Sequence, residues 1–170
     1  MITVYHGSIT TITQPLALAG RPNLDFGRGF YVTKLRKQAE HWATIVGRRH
    51  PDVVPLLNVY ELDVDRIEQQ NYHTLHFESY NGEWLDFIAA SRKGKEPWRE
   101  YDLIEGGVAN DKVFDAIEAY LNGLASKETA IGLLTYQAPN NQICLLNQQL
   151  IDECLHFVGS EPVGKETQLC

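Results

Sequence analysis

An α+β fold is expected for this chain. Short alternating or apolar runs suited to strands are mixed with amphipathic stretches suited to helices. The two do not follow the steady strand–helix–strand rhythm that builds a doubly wound parallel sheet. Apolar residues make up 44% of the 170 and charged residues 22%, the balance of an ordinary folded domain. A chain of this length buries about two thirds of its unfolded surface and needs no disulfide or metal to hold it. One domain is expected over residues 1–160, with 161–170 as a C-terminal tail.

Ile2, Val4 and His6 alternate with Thr3 and Tyr5, which predicts a strand closed by Gly7-Ser8. Residues 11–29 are rich in Thr, Pro, Gly and Asn and read as a long loop ending in Asp25-Phe26-Gly27-Arg28-Gly29. Phe30-Tyr31-Val32 is a short strand. Thr33 is placed to cap a helix through about Val46, with Leu35, Ala39, Trp42 and Val46 on one face. Asn58–Asp63 alternates again, after an apolar run from Val53 to Leu57.

A helix follows from Glu83 to about Arg92, turning Trp84, Phe87 and Ile88 inward. Tyr101–Val108 reads as a strand broken at Gly106-Gly107. Asp111 opens a helix that Gly123 ends, and Ser126 caps another through about Thr135. Beyond Pro139-Asn140-Asn141, Gln142–Leu146 is a buried strand, then a short helix and a last strand near Leu155–Val158.

Several functions are excluded or disfavoured. The net charge of −7 gives no general attraction for nucleic acid. A phosphate-binding patch would be local, around Arg28, Lys34, Arg36, Lys37 and Arg48-Arg49. Cys144, Cys154 and Cys170 are odd in number and without paired spacing, which suits a reducing cytoplasm. The start MITVYHGS has no signal-peptide pattern, and no run reaches the roughly 18 apolar residues that span a bilayer. No P-loop, hydride-transfer dinucleotide fingerprint, nucleophile elbow or metal-ligand spacing is present. No metal and no membrane partner are therefore expected.

Three segments remain. They are Tyr5-His6-Gly7-Ser8, Gly27-Arg28-Gly29-Phe30-Tyr31-Val32-Thr33 with the helix holding Trp42, and Asn140-Asn141-Gln142-Ile143. Together, and in this order, they resemble the ADP-ribosyltransferase superfamily, in the branch whose signature is His, Tyr and Glu on three separate strands. Here the third position is Gln142. The whole chain is also similar to a bacterial group of small domains in that superfamily whose members are suspected toxins of toxin–antitoxin pairs.

The resemblance implies a split pair of small antiparallel sheets flanked by helices, with NAD+ bound between them as substrate. It implies that His6 hydrogen-bonds a ribose hydroxyl and that the Gly7 backbone meets the nicotinamide carboxamide. Tyr31 would pack on the nicotinamide ribose and ring, and Trp42 would supply a second aromatic, although a Trp on an apolar helix face is more often a core residue. Gly29 lies in the binding block, and Asn23 and Asp25 would border the adenosine.

His6, Tyr31 and Gln142 are thus the expected catalytic set. Glutamine carries no charge and is no general base, so Asp102, Glu105 and Asp111 are candidate substitutes. The implied activity is transfer of one ADP-ribose to a macromolecular acceptor, protein or nucleic acid, with an antitoxin protein as a further partner. Two rivals stand beside it: an NAD+ glycohydrolase, and an inactive module that binds NAD+ or ADP-ribose.

Overall fold

The computed structural model describes residues 1–109, 111–134 and 140–164, without the side chains of residues 111 and 112. Within them, β1 (Ile2–Ser8), β3 (Leu56–Leu62) and β7 (Leu155–Pro162) form an antiparallel sheet in the order β1-β3-β7. A second sheet contains β2 (Phe30–Val32), β4 (Thr74–His76), β5 (Leu103–Gly106) and β6 (Gln142–Leu145), in the order β2-β6-β5-β4. The expectation of two antiparallel sheets is corrected at one edge. There β4 runs parallel to β5, with Leu75 opposite Ile104 and His76 opposite Glu105.

The sheets meet at one antiparallel bridge. Tyr5 N–H donates to Thr33 O at 2.8 Å, and Thr33 N–H returns to Tyr5 O at 2.9 Å. Strand alternation then assigns the faces. Val4, Tyr60, Leu62 and Leu155 of the first sheet pack against Phe30, Val32, Leu103, Ile143 and Leu145 of the second. That is the core between the sheets.

Helix α1 (Arg36–Gly47) covers the outer side of the first sheet, and its sequence-based reading needs two corrections. Its buried stripe is Ala39, Ala43 and Gly47, while Leu35 and Trp42 are 42% and 49% exposed. The reason is the closeness of the contact. A Cβ on Gly7 would lie 2.1 Å from the Ala39 carbonyl oxygen and 2.7 Å from the Ala43 nitrogen. Helix backbone rests on strand backbone, so only small residues fit the seam. Nor does Thr33 cap the helix. It is held in the bridge to Tyr5, and its Oγ1 accepts the Leu35 N–H at 3.1 Å.

The short helix α2 (Val64–Gln69) and strand β4 were not anticipated from the sequence. Helices α3 (Gly82–Arg92), α4 (Asp111–Leu121) and α5 (Lys127–Leu134) cover the other face of the second sheet. There Trp84, Leu85, Ile88, Ile117 and Leu134 enclose Ile104 and Cys144. Asn81 caps α3 by accepting the Trp84 N–H at 2.9 Å, and Ser126 accepts the Thr129 N–H at 3.2 Å in front of α5. Helix α6 (Gln148–Cys154) leads into β7, which runs to Pro162, two residues into the expected tail. Residues 165–170 of that tail, with Cys170, lie outside the described residues. No described helix is long and apolar enough to cross a membrane.

Candidate functional site

The three sequence segments are neighbours in space. β1 bridges to β2 at Tyr5–Thr33, and β2 pairs with β6 with Phe30, Tyr31 and Val32 opposite Leu145, Cys144 and Ile143. His6 stands on the Val4 side of β1, and its ring stacks on Phe30 with 4.6 Å between centroids. Nδ1 is 2.6 Å from the Tyr31 carbonyl oxygen. A carbonyl only accepts, so Nδ1 carries the proton and donates it.

Burial lowers the His6 pKa from 6.5, outweighing the opposing effect of that hydrogen bond. The ring is therefore neutral near pH 7, and Nε2 presents a lone pair. Among the described residues Nε2 has no partner. A group of this kind accepts a proton-bearing hydroxyl, as a sugar offers.

Tyr31 is committed to the preceding loop. Its hydroxyl donates to Gly27 O at 2.6 Å and accepts the Phe26 N–H at 3.2 Å. Burial raises its pKa far above the usual value, so it remains a donor. Its ring packs on the α3 side of the sheet together with Cys144. Phe30, the next residue along, faces the other way. The structure thus places the His6 ring beside the Tyr31 backbone rather than beside its ring.

Gln142 lies two residues before Cys144 on β6 and shares its face. It is 9% exposed, and its Nε2 donates to Gly107 O at 3.2 Å. The amide needs its N–H there, because its oxygen would confront the Gly107 oxygen. Oε1 is the acceptor left over. The two preceding amides are structural. Asn140 Oδ1 accepts from Val108 N–H at 2.8 Å and from the Tyr80 hydroxyl at 2.6 Å. Asn141 exchanges two hydrogen bonds with the Gln38 side chain, at 2.7 and 3.2 Å. Its side chain accepts the Lys34 N–H and donates to Glu105 at 2.7 Å.

Trp42 is one helical turn beyond Gln38, so it lies on the side of α1 that meets Asn141. The core role open to it from its sequence position is excluded by its exposure. Gly7 and Gly29 are both explained by packing. A Cβ on Gly29 would meet Cys144 Sγ at 2.5 Å and Leu145 O at 2.7 Å. Asn23 is exposed, in a left-handed turn with φ of 60°.

Asp25 is engaged elsewhere. Its Oδ1 accepts Arg92 Nε at 2.9 Å and Nη2 at 2.7 Å, and Oδ2 accepts the Ala109 N–H at 3.4 Å. Both partners are largely buried, with side chains 13% and 18% exposed, and Arg92 also lies 4.9 Å from the Phe114 ring centroid.

Of the candidate carboxylates, Asp102 accepts from His73 N–H at 2.8 Å and Asn147 Nδ2 at 2.7 Å, which is turn chemistry. Glu105 sits across from Ile143, one residue from Gln142 in register, and pairs with Lys34 Nζ at 2.5 Å and His76 Nδ1 at 3.4 Å. The side chain of Asp111 lies outside the described residues. Burial pushes the Cys144 thiol pKa up, which favours the protonated thiol.

Gln38 and Arg92 were missed by sequence reasoning. Their partners are 103 and 67 residues away, and only the fold joins them. An open hollow of about 330 Å³ beside Lys37, His41 and Thr44 lies on the outer flank of α1, on the opposite side of the sheet from His6.

The model of a family described as a protein of unknown function (DUF3990) matches residues 2–157. No curated protein and no solved structure matches the chain. The chain belongs to the DUF3990 family.

Proposed function

We propose that this member of the DUF3990 family is a mono-ADP-ribosyltransferase that uses NAD+. The observation that carries the reading is the convergence of the three segments. His6 hydrogen-bonds the Tyr31 backbone, and β2, which holds Tyr31, pairs with β6, which opens on Gln142. The fold is compatible with the split two-sheet arrangement that the resemblance implies, with the cleft at the Tyr5–Thr33 junction.

In this reading His6 Nε2 accepts a ribose hydroxyl, and its neutral state suits that task. The bond between the nicotinamide nitrogen and the anomeric carbon breaks, the electron pair leaves with nicotinamide, and an oxocarbenium-like state develops. A preorganised amide oxygen favours that positive charge over the ground state, and Gln142 Oε1 would have to supply it from the Cys144 face of β6, across the strand from the Phe30 face on which His6 stacks. The acceptor's nucleophilic atom then bonds to the anomeric carbon and releases its proton to a base. Glu105 is the described carboxylate next in register to Gln142. The resemblance also supports a toxin-like role, with a neutralising antitoxin protein as partner.

The test is incubation of purified protein with adenine-labelled NAD+ and a cell lysate, following label into protein, nucleic acid and free ADP-ribose. Label in a macromolecular fraction, lost in His6→Ala, is the expected result. Free ADP-ribose alone would make the protein a glycohydrolase. Retained NAD+ binding without nicotinamide release would make it a binding module, a reading that the use of the Gln142 amide on Gly107 favours.

A further inference from the structure

The segment that holds α1 and its two ends carries charge of the opposite sign to the rest of the chain. Residues 34–49 contain five cations, Lys34, Arg36, Lys37, Arg48 and Arg49, against the single acid Glu40. That segment is net +4 within a chain of net −7. Two of the five are neutralised, Lys34 by Glu105 and Arg36 by Glu40 and Glu161. Lys37, Arg48 and Arg49 are exposed and have no ion pair among the described residues.

The close seam against Gly7 fixes how these groups are presented. With Ala39, Ala43 and Gly47 turned to β1, the helical period of 100° per residue puts Lys37, His41 and Arg48 on one flank of the outward half. Trp42 falls on the other, and Arg49 lies in the turn just past the end of the helix. Trp42 is 49% exposed, which leaves part of a flat ring open to a stacking partner. Eleven residues separate Lys37 from Arg48, which is about 16 Å along the helix axis.

We propose that the outer face of α1 binds a short stretch of single-stranded nucleic acid. Lys37, Arg48 and Arg49 meet the phosphates, and one base stacks on Trp42. Cations beside a half-exposed indole match that ligand, since every base offers a flat face and every nucleotide a charge. An acidic peptide would satisfy the cations but leave the indole in water. The footprint is a few nucleotides, in keeping with the acidic remainder of the surface. Trp42 lies one turn from Gln38, whose side chain is anchored to Asn141. In naming nucleic acid as the acceptor class the inference rests on the transferase reading, but binding itself does not.

The test uses the full chain without NAD+ and fluorescence anisotropy of labelled oligo-dT and oligo-rU of about 12 nucleotides. Binding is expected to weaken with salt at a log–log slope of about −2, from three phosphate contacts on a single strand. Trp42→Ala should weaken it at least about fivefold, and Arg48→Ala with Arg49→Ala should reduce the slope to about −1. Lys127→Ala, at a cation paired with Asp86 on α3, should change nothing. Circular dichroism of each variant checks that the fold is kept.

Absence of binding at low salt, equal affinity in Trp42→Ala, or equal competition by polyglutamate overturns the proposal. Label transfer failing while binding and its mutant pattern persist would sink the transferase reading and leave this one standing.

Discussion

The imidazole of His6 donates through Nδ1 to the carbonyl oxygen of Tyr31, 2.6 Å away. One hydrogen bond therefore ties the first sheet to the second and chooses the tautomer in which Nε2 is the acceptor. Replacing His6 with Ala should abolish NAD+ consumption while the far-ultraviolet circular dichroism stays that of the wild type. Unchanged turnover in a folded variant would falsify the assignment.

The same histidine sets a pH dependence. Its folded pKa is lowered by burial, so the unfolded chain binds the proton more readily than the folded one. Its contribution is fully present above the unfolded value of about 6.5 and is lost as pH falls below it. Wild type should lose more stability between pH 7.5 and pH 5 than His6→Ala does, compared by urea unfolding. Equal losses would mean that His6 is not held neutral.

Gly7→Ala places a methyl group on the backbone of α1. Overpacking of this kind costs about 3 kcal/mol, since neither strand nor helix backbone yields easily. Thermal and urea unfolding measure it, and a loss below about 0.5 kcal/mol would show that the helix shifts freely.

Asp25 and Arg92 should behave as one unit. Removing either partner strands the other, at about 2 kcal/mol after allowing for their partial exposure. The double variant should cost clearly less than the sum of the singles. If Asp25→Ala instead left stability unchanged and weakened NAD+ binding alone, the residue would belong to the adenosine side as its sequence position suggested.

Gln142→Glu is expected to impair the protein, although it creates the residue that the resemblance calls for. The carboxylate loses the donor to Gly107 O and faces that oxygen, at a cost of about 1–3 kcal/mol. Stability relative to wild type should recover as pH drops and the new carboxyl is protonated. A faster, equally stable variant would show that the Gly107 contact is dispensable.

Much of the framework was legible in the sequence because it depends on local pattern. Ile2–Ser8, Phe30–Val32 and Gln142–Leu145 each read as strands from alternation or unbroken apolar character, and Gly123 and Ser126 mark the ends of helices. β4 was not legible, since Thr74-Leu75-His76 has one apolar residue where Phe30-Tyr31-Val32 is apolar throughout, and its strand character comes from pairing with β5. The buried stripe of α1 was misread for a different reason. Leu35 and Trp42 are the large apolar residues, but the close approach at Gly7 admits only Ala39, Ala43 and Gly47. For the site, the grouping of His6, Tyr31 and Gln142 came from the resemblance, and the structure puts them on strands that meet. That Tyr31 is bound to Gly27, and Asp25 to Arg92, had no signal because both depend on where a loop folds back.

The seam of glycine and alanine also divides the molecule mechanically. Where main chain rests directly on main chain, no side chain is left to change rotamer and absorb a displacement, so α1 and β1 move as one rigid body. The loop that holds Asn23 and Asp25 is held by side chains instead, Asp25 by Arg92 and Phe26 and Gly27 by the Tyr31 hydroxyl. A guest approaching His6 would find the β1 side unyielding, and any adjustment would fall to side chains that can change rotamer.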